Sequence, residues 1–160
     1  MSLIAAQAGP SELEGILSHR PELLEKYREF YLGFWKDGLV PRRVLEICRR
    51  RIAWIQGCEA ELSITDAEVQ LSDAQELALQ QGRVDAFDAP EQAALALAEL
   101  IPHGVHNITD DMVAAASSEF GHPGCVALLT ALSFMDVNCR LKLVLDTPVR
   151  NAELSADLLG

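Results

Sequence analysis

Residues 41–62 read PRRVLEICRRRIAWIQGCEAEL, and the remainder of the chain can be placed around them. Pro41 suits the start of a helix, where its missing N–H leaves no bond unmade. Val44, Leu45, Cys48, Ile52 and Ile55 then recur at the 3.6-residue period and form a buried side. Gly57 is placed to end the helix. Cys58 opens the next segment, followed closely by Glu59 and Glu61, with Glu46 twelve residues upstream. A thiol at the start of a helical segment faces unsatisfied N–H groups, which favour the thiolate.

Before this stretch, Ser11 and Glu14 have the spacing of a capping box for a short first helix. Pro21 suits the first turn of a stronger helix, whose stripe is Leu23, Leu24, Tyr27, Phe30, Tyr31, Phe34 and Trp35. That stripe is a core face or a contact between subunits. Residues 58–70 read as helical but weakly patterned. Beyond them, Ser72 or Asp73 opens a helix that Gly82 closes, and Asp88 with Glu91 opens another that ends near Pro102. Thr109 starts a further helix, and HPGCVALLTALSFMDVNCRLKLVLDTP, residues 122–148, reads as a long final one. The residues after Pro148 read as a loose or swapped tail. No period-2 run or hairpin dipeptide supports a strand, so the expected fold class is all-α, in one domain over residues 1–160.

Apolar residues make up 49% and charged residues 23% of the 160 residues, an ordinary globular composition. A net charge of −11 argues against nucleic acid, which needs a basic surface. The basic block RRVLEICRRR reads as a solvated face or local ion pairing. The N-terminal sequence lacks a basic leader, and no apolar run nears the roughly 18 residues of a membrane span. Without a C-x-x-C pair, Cys48, Cys58, Cys125 and Cys139 read as reduced thiols of a cytoplasmic protein. His103 and His106 flank a glycine on a turn, so neither a metal nor a cofactor is expected.

The layout resembles the carboxymuconolactone decarboxylase-like family, which includes alkylhydroperoxidase D and peroxidase-related proteins. Glu46 and Cys58 fit the first two positions of that family's E-x11-C-x2-C-x3-H motif. FYLGFWKDGLVPRRVLEICRRRIAWIQGC, DAPEQAALALAELI, ITDDMV and the helix carrying Cys139-Arg140 extend the likeness over about residues 20–148. The resemblance implies an alkylhydroperoxidase D-like helical bundle that assembles as a dimer, trimer or hexamer. Two motif positions depart from the family, because Glu61 and Thr65 stand where it has the resolving cysteine and the histidine. The decarboxylase-like branch of the family reads nearer G-x-E-Y-E-W-x-x-H here. Glu59 and Glu61 fit that version, but its histidine is missing as well.

Peroxide reduction of the family's type needs two thiols in reach of each other, and a glutamate cannot resolve a sulfenic acid. The expected function is therefore a non-catalytic or small-ligand-binding homo-oligomer. The alternative is a single-cysteine hydroperoxide reductase, or a decarboxylase-like enzyme using Glu46, Cys58 and Glu61, with Trp54 and Thr65 lining the pocket. In that case a carboxyl raised by burial would move protons near neutral pH. Against these stand plainer readings. Glu46 would pair with Arg49 or Arg50, Trp54 would pack in the core, Glu59 and Glu61 would be solvated, and the other three cysteines would fill core space. The nearby acids are expected to keep Cys58 protonated and slow. No disulfide is expected from Cys58, because Cys48, the nearest cysteine in sequence, lies about 15 Å along a helix.

Overall fold

The computed structural model describes residues 4–7 and 11–149, with the backbone of 152–153. Among these residues the chain is helical almost throughout. The helices are α1 (Glu12–Leu17), α2 (Pro21–Lys36), α3 (Arg42–Gln56), α4 (Glu59–Leu62), α5 (Asp73–Gln81), α6 (Ala89–Leu100) and α7 (Asp110–Val144). A 3-10 turn at Val105–Asn107 precedes α7. The punctuation residues act as their chemistry dictates. Ser72 and Asp88 each form a reciprocal capping box, with Gln75 and Glu91, and Gly57 closes α3 at φ 62°. At α1 only half of the box forms. Ser11 accepts the Glu14 N–H at 3.2 Å, while the Glu14 carboxylate turns away to Arg28 at 2.8 Å.

The core lies where α3, α6 and α7 pack pairwise on one another. Ile47 and Ile52 from α3 meet Leu97 from α6 and Leu128 and Leu132 from α7, all fully buried. Burial of each such side chain contributes roughly 1.5–3 kcal/mol. The five arginines of α3 then attach the surrounding segments through carboxylates. Arg42 reaches Asp66 at 2.5 Å, Arg43 reaches Glu91 at 2.6 Å, Arg50 reaches Glu76 at 2.8 Å and Arg51 reaches Glu99 at 2.6 Å. Arg49 turns inward. The basic block is therefore spent on ion pairs within the molecule.

α2 contributes only Trp35 to the buried core. Its other rings gather around Phe134 of α7, at centroid distances of 5.6 Å from Tyr27, 5.2 Å from Phe30 and 5.8 Å from Tyr31. Phe30 remains 49% exposed.

Two expectations need correction, and one falls outside the described residues. Residues 58–70 are helical only over α4. A two-residue strand, β1 (Ile64–Thr65), follows and pairs in parallel with β2 (Ala152–Glu153). The cause lies in side-chain bonds to that backbone: Arg49 takes the Ile64 carbonyl at 2.7 Å, and the Asp66 carboxylate accepts both Arg42 and the Glu68 N–H. The expected loose or swapped tail lies outside the described residues, apart from Val149 and β2. Residues 110–144 include a helix long and apolar enough to cross a membrane by length and composition, contrary to the run-length reading, although much of its apolar face is packed in the core.

α7 combines the last two expected helices, and the break between them is visible. Gly121 sits at φ 68°, ψ 169°, a conformation essentially confined to glycine, and Pro123 lies in the first turn after it. Gly124 allows a close approach to the loop before α3. A Cβ there would lie 2.7 Å from Phe120 Cβ and 2.9 Å from the Leu39 carbonyl oxygen. Gly124→Ala is expected to destabilise the protein by about 1–3 kcal/mol through forced backbone separation. Urea unfolding checks this, and an unchanged midpoint would show that the loop yields freely.

Candidate functional site

Glu46 lies on the inner face of α3, one turn before Arg49. Both are fully buried, so each charge must be met inside the protein. The Arg49 guanidinium meets Glu46 as a fork, Nε to Oε2 at 2.8 Å and Nη2 to Oε1 at 2.7 Å. Its Nη1 donates to both the Glu61 carboxylate and the Glu61 backbone carbonyl, each at 2.8 Å. Lys142 of α7 donates to the second Glu61 oxygen. Two buried carboxylates thus face two cations, and both oxygens of each carboxylate are engaged.

The protonation states follow from this pairing. Burial would raise the Glu61 pKa, but Lys142 and then Arg49 outweigh it and hold the group down at about 2. Burial also opposes the Arg49 charge, and Glu46 followed by Glu61 overcomes that, so the guanidinium pKa lies well above its ordinary value. Glu61 is accordingly a fixed carboxylate. The raised, proton-moving carboxyl expected from sequence is not present at this position, because two cations arrive that the local sequence does not announce.

Tyr27 and Tyr31 close the site from α2, and Asn138 and Lys142 close it from α7. With Glu61 and Ile64 they line a cavity of about 50 Å³, room for one or two water-sized molecules. Burial first, and then Glu61, holds both tyrosines protonated. The Asn138 Oδ1 atom has no protein partner.

Cys58 is buried beside this node and donates to the Cys139 carbonyl at 3.8 Å. The neighbouring Cys139 leads in lowering the Cys58 pKa. Burial and the Glu61 charge oppose the shift, while the Glu61 backbone N–H and Lys142 support it. The carbonyl contact favours the neutral thiol, but at 3.8 Å it is weak. The nearby acids are therefore not the leading influence on this thiol, contrary to expectation. Glu59 is exposed, and Glu46 and Glu61 are neutralised by Arg49 and Lys142.

Of the residues selected from sequence, Glu46, Cys58 and Glu61 converge. Trp54 is 37% exposed, so it does not pack in the core, and Thr65 is exposed in β1; neither lines the cavity. Arg49 was readable as an i+3 partner of Glu46. Lys142 and Cys139, each 81 residues from the group it meets, have no local sequence signal. Among the described residues no group of three or more His, Cys, Asp or Glu side chains is arranged to hold a metal, and His103 and His106 are exposed. Comparison of the chain with protein-family models, with curated proteins and with solved structures gave no significant match.

Proposed function

We propose that this chain is a carboxymuconolactone decarboxylase-like protein, with an alkylhydroperoxidase D-like bundle, in which the family's reactive site has become a structural node. On this reading it works as a non-catalytic homo-oligomer in the cytoplasm. The observation that carries the proposal is the closed charge balance of Glu46, Arg49, Glu61 and Lys142. A carboxylate held at about 2 is a poor proton carrier near neutral pH, where a general acid or base should have a pKa close to the working pH. A cavity of about 50 Å³ also leaves no room for an organic substrate.

The assembly surface on this reading is the groove between α2 and α7. It has a volume of about 810 Å³ and is lined by Leu23, Phe30, Phe34, Phe134, Val137 and Leu141. Leu23 and Phe30 are each 49% exposed and Val137 is 44% exposed, an apolar face suited to a second copy. A small apolar ligand is the other occupant the groove would accept.

One observation favours the single-cysteine hydroperoxide reductase instead, namely the lowered Cys58 pKa. Both readings are tested together with cumene hydroperoxide and added dithiothreitol. The node reading predicts no turnover above that of Cys58→Ser, because the bulky peroxide cannot reach the sulfur. Turnover lost in Cys58→Ser would establish the reductase. In parallel, light scattering at micromolar concentration is expected to show a dimer or larger species, shifted toward monomer by Phe30→Glu. A sharp wild-type monomer would refute the assembly.

A further inference from the structure

We infer that two copies of the chain pair through α2, antiparallel about a two-fold axis, in the register that sets Phe30 over the partner's Gly33 and Lys26 beside the partner's Asp37. This rests on the assembly reading above and deepens it, since it fixes which residues of the groove meet. On α2 the groove-lining residues that stay exposed are Leu23, Lys26, Glu29, Phe30, Gly33 and Asp37. Glu29 apart, these are spaced 3, 4, 3 and 4 residues from one another. That alternation averages about 3.5 residues, the repeat of a seam along which two helices pack side by side. The seam is turned away from the core, to which α2 contributes only Trp35.

A two-fold contact sets one surface against itself, so the surface must complement its own reversed order. With the axis passing between Tyr31 and Leu32, Phe30 lies opposite the partner's Gly33 and Lys26 opposite the partner's Asp37, each contact occurring twice. The shapes match. Phe30 is 49% exposed, and a Cβ built on Gly33 would meet nothing within 4 Å, so a ring can lie on the bare backbone there. The charges match as well. Asp37 is held at the end of α2, where its Oδ1 accepts the Leu39 N–H at 3.0 Å.

The charges also select the register. Each copy carries a net charge of −11, so two copies repel unless their contact brings cations against carboxylates. Sliding one helix by a heptad sets Lys26 against the partner's Phe30, or Asp37 against the partner's Gly33, and leaves the opposite charge unmet. Of these arrangements, only the one centred between Tyr31 and Leu32 pairs both ends of the seam and stacks its middle.

The test is sedimentation equilibrium of the whole protein and of four variants, with urea unfolding of each at dilutions where all are monomers. Wild type is expected to follow a reversible monomer–dimer equilibrium. Lys26→Glu and Asp37→Lys each set like charges together twice, and each is expected to weaken the dimer by roughly tenfold or more. Lys26→Glu combined with Asp37→Lys restores opposite charges across the axis and is expected to recover most of the affinity. Gly33→Leu fills the space that Phe30 enters and is expected to abolish the dimer. Its urea midpoint should be unchanged or raised, because leucine favours a helix more than glycine and the position is open in the single copy. A wild-type dimer indifferent to all four variants would overturn the register while leaving the assembly reading in place. A wild-type monomer would overturn both, and uptake of 1-anilinonaphthalene-8-sulfonate by that monomer would assign the groove to a small apolar ligand. A trimer would also overturn the inference, because one isologous contact cannot close a ring of three.

Discussion

Arg49→Leu is expected to lower the unfolding free energy by about 3–5 kcal/mol, the usual cost of leaving buried charge without its partner. The guanidinium makes five bonds, to both Glu46 oxygens, to the Glu61 carboxylate and carbonyl, and to the Ile64 carbonyl. Its removal strands Glu46 in the core and releases the backbone of β1. Against a total stability of roughly 5–15 kcal/mol this is a large fraction, so part of the population should unfold at physiological temperature. Arg49→Lys keeps the charge but not the planar fork, and should recover only part of the loss. Arg49→Met combined with Glu46→Met and Glu61→Gln should recover more, since an apolar replacement of a whole buried pair is often neutral. Urea melts of the four proteins test this. A cost below about 1 kcal/mol for Arg49→Leu would mean that the node contributes little to the fold.

The second large effect is on acid stability. Glu61 has a pKa of about 2 in the folded protein, against an ordinary 4.5. In the unfolded chain it takes up its proton first as pH falls, so folding is favoured by the ionised form. The contribution is fully present above about pH 4.5 and is lost as pH drops through about 2. The size of the shift corresponds to on the order of 3 kcal/mol. In Glu61→Gln the contribution is absent at every pH. The stability difference between wild type and this variant should therefore shrink progressively between about pH 4.5 and 2. A difference that is constant over that range would show that Glu61 is not held down by Arg49 and Lys142.

The helical framework was legible because its signals are local. Ser72, Asp88, Gly57 and Gly82 mark helix ends by their own backbone chemistry, and the 3.6-residue spacing of Val44, Leu45, Cys48 and Ile52 states which side is buried. Glu46 with Arg49 was legible for the same reason, since one helical turn brings them together. Residues 63–70 were misread because what holds them extended is distant in sequence, the side chains of Arg42 and Arg49. Trp54 was misjudged because a large apolar residue within a buried helix can still lie on its outer edge.

The site itself depended most on distant residues. Judged by sequence neighbours, Cys58 has three nearby acids and no histidine to offset them. In the folded chain Lys142, Asn138 and Cys139 arrive together on one face of α7, bringing one positive charge and one further thiol. Those three residues alter the surroundings of Cys58 and Glu61 without any motif that marks them.

The central claim is that the buried carboxylates form a fixed ion-pair node and not an acid–base site. Its most direct test is carbon-detected NMR titration of the Glu61 side-chain carboxyl, assigned by comparison with Glu61→Gln. The account predicts a resonance that stays at its ionised position through neutral pH and moves only as pH approaches about 2. A titration midpoint at about 6 to 7 would contradict it and make Glu61 a working proton carrier.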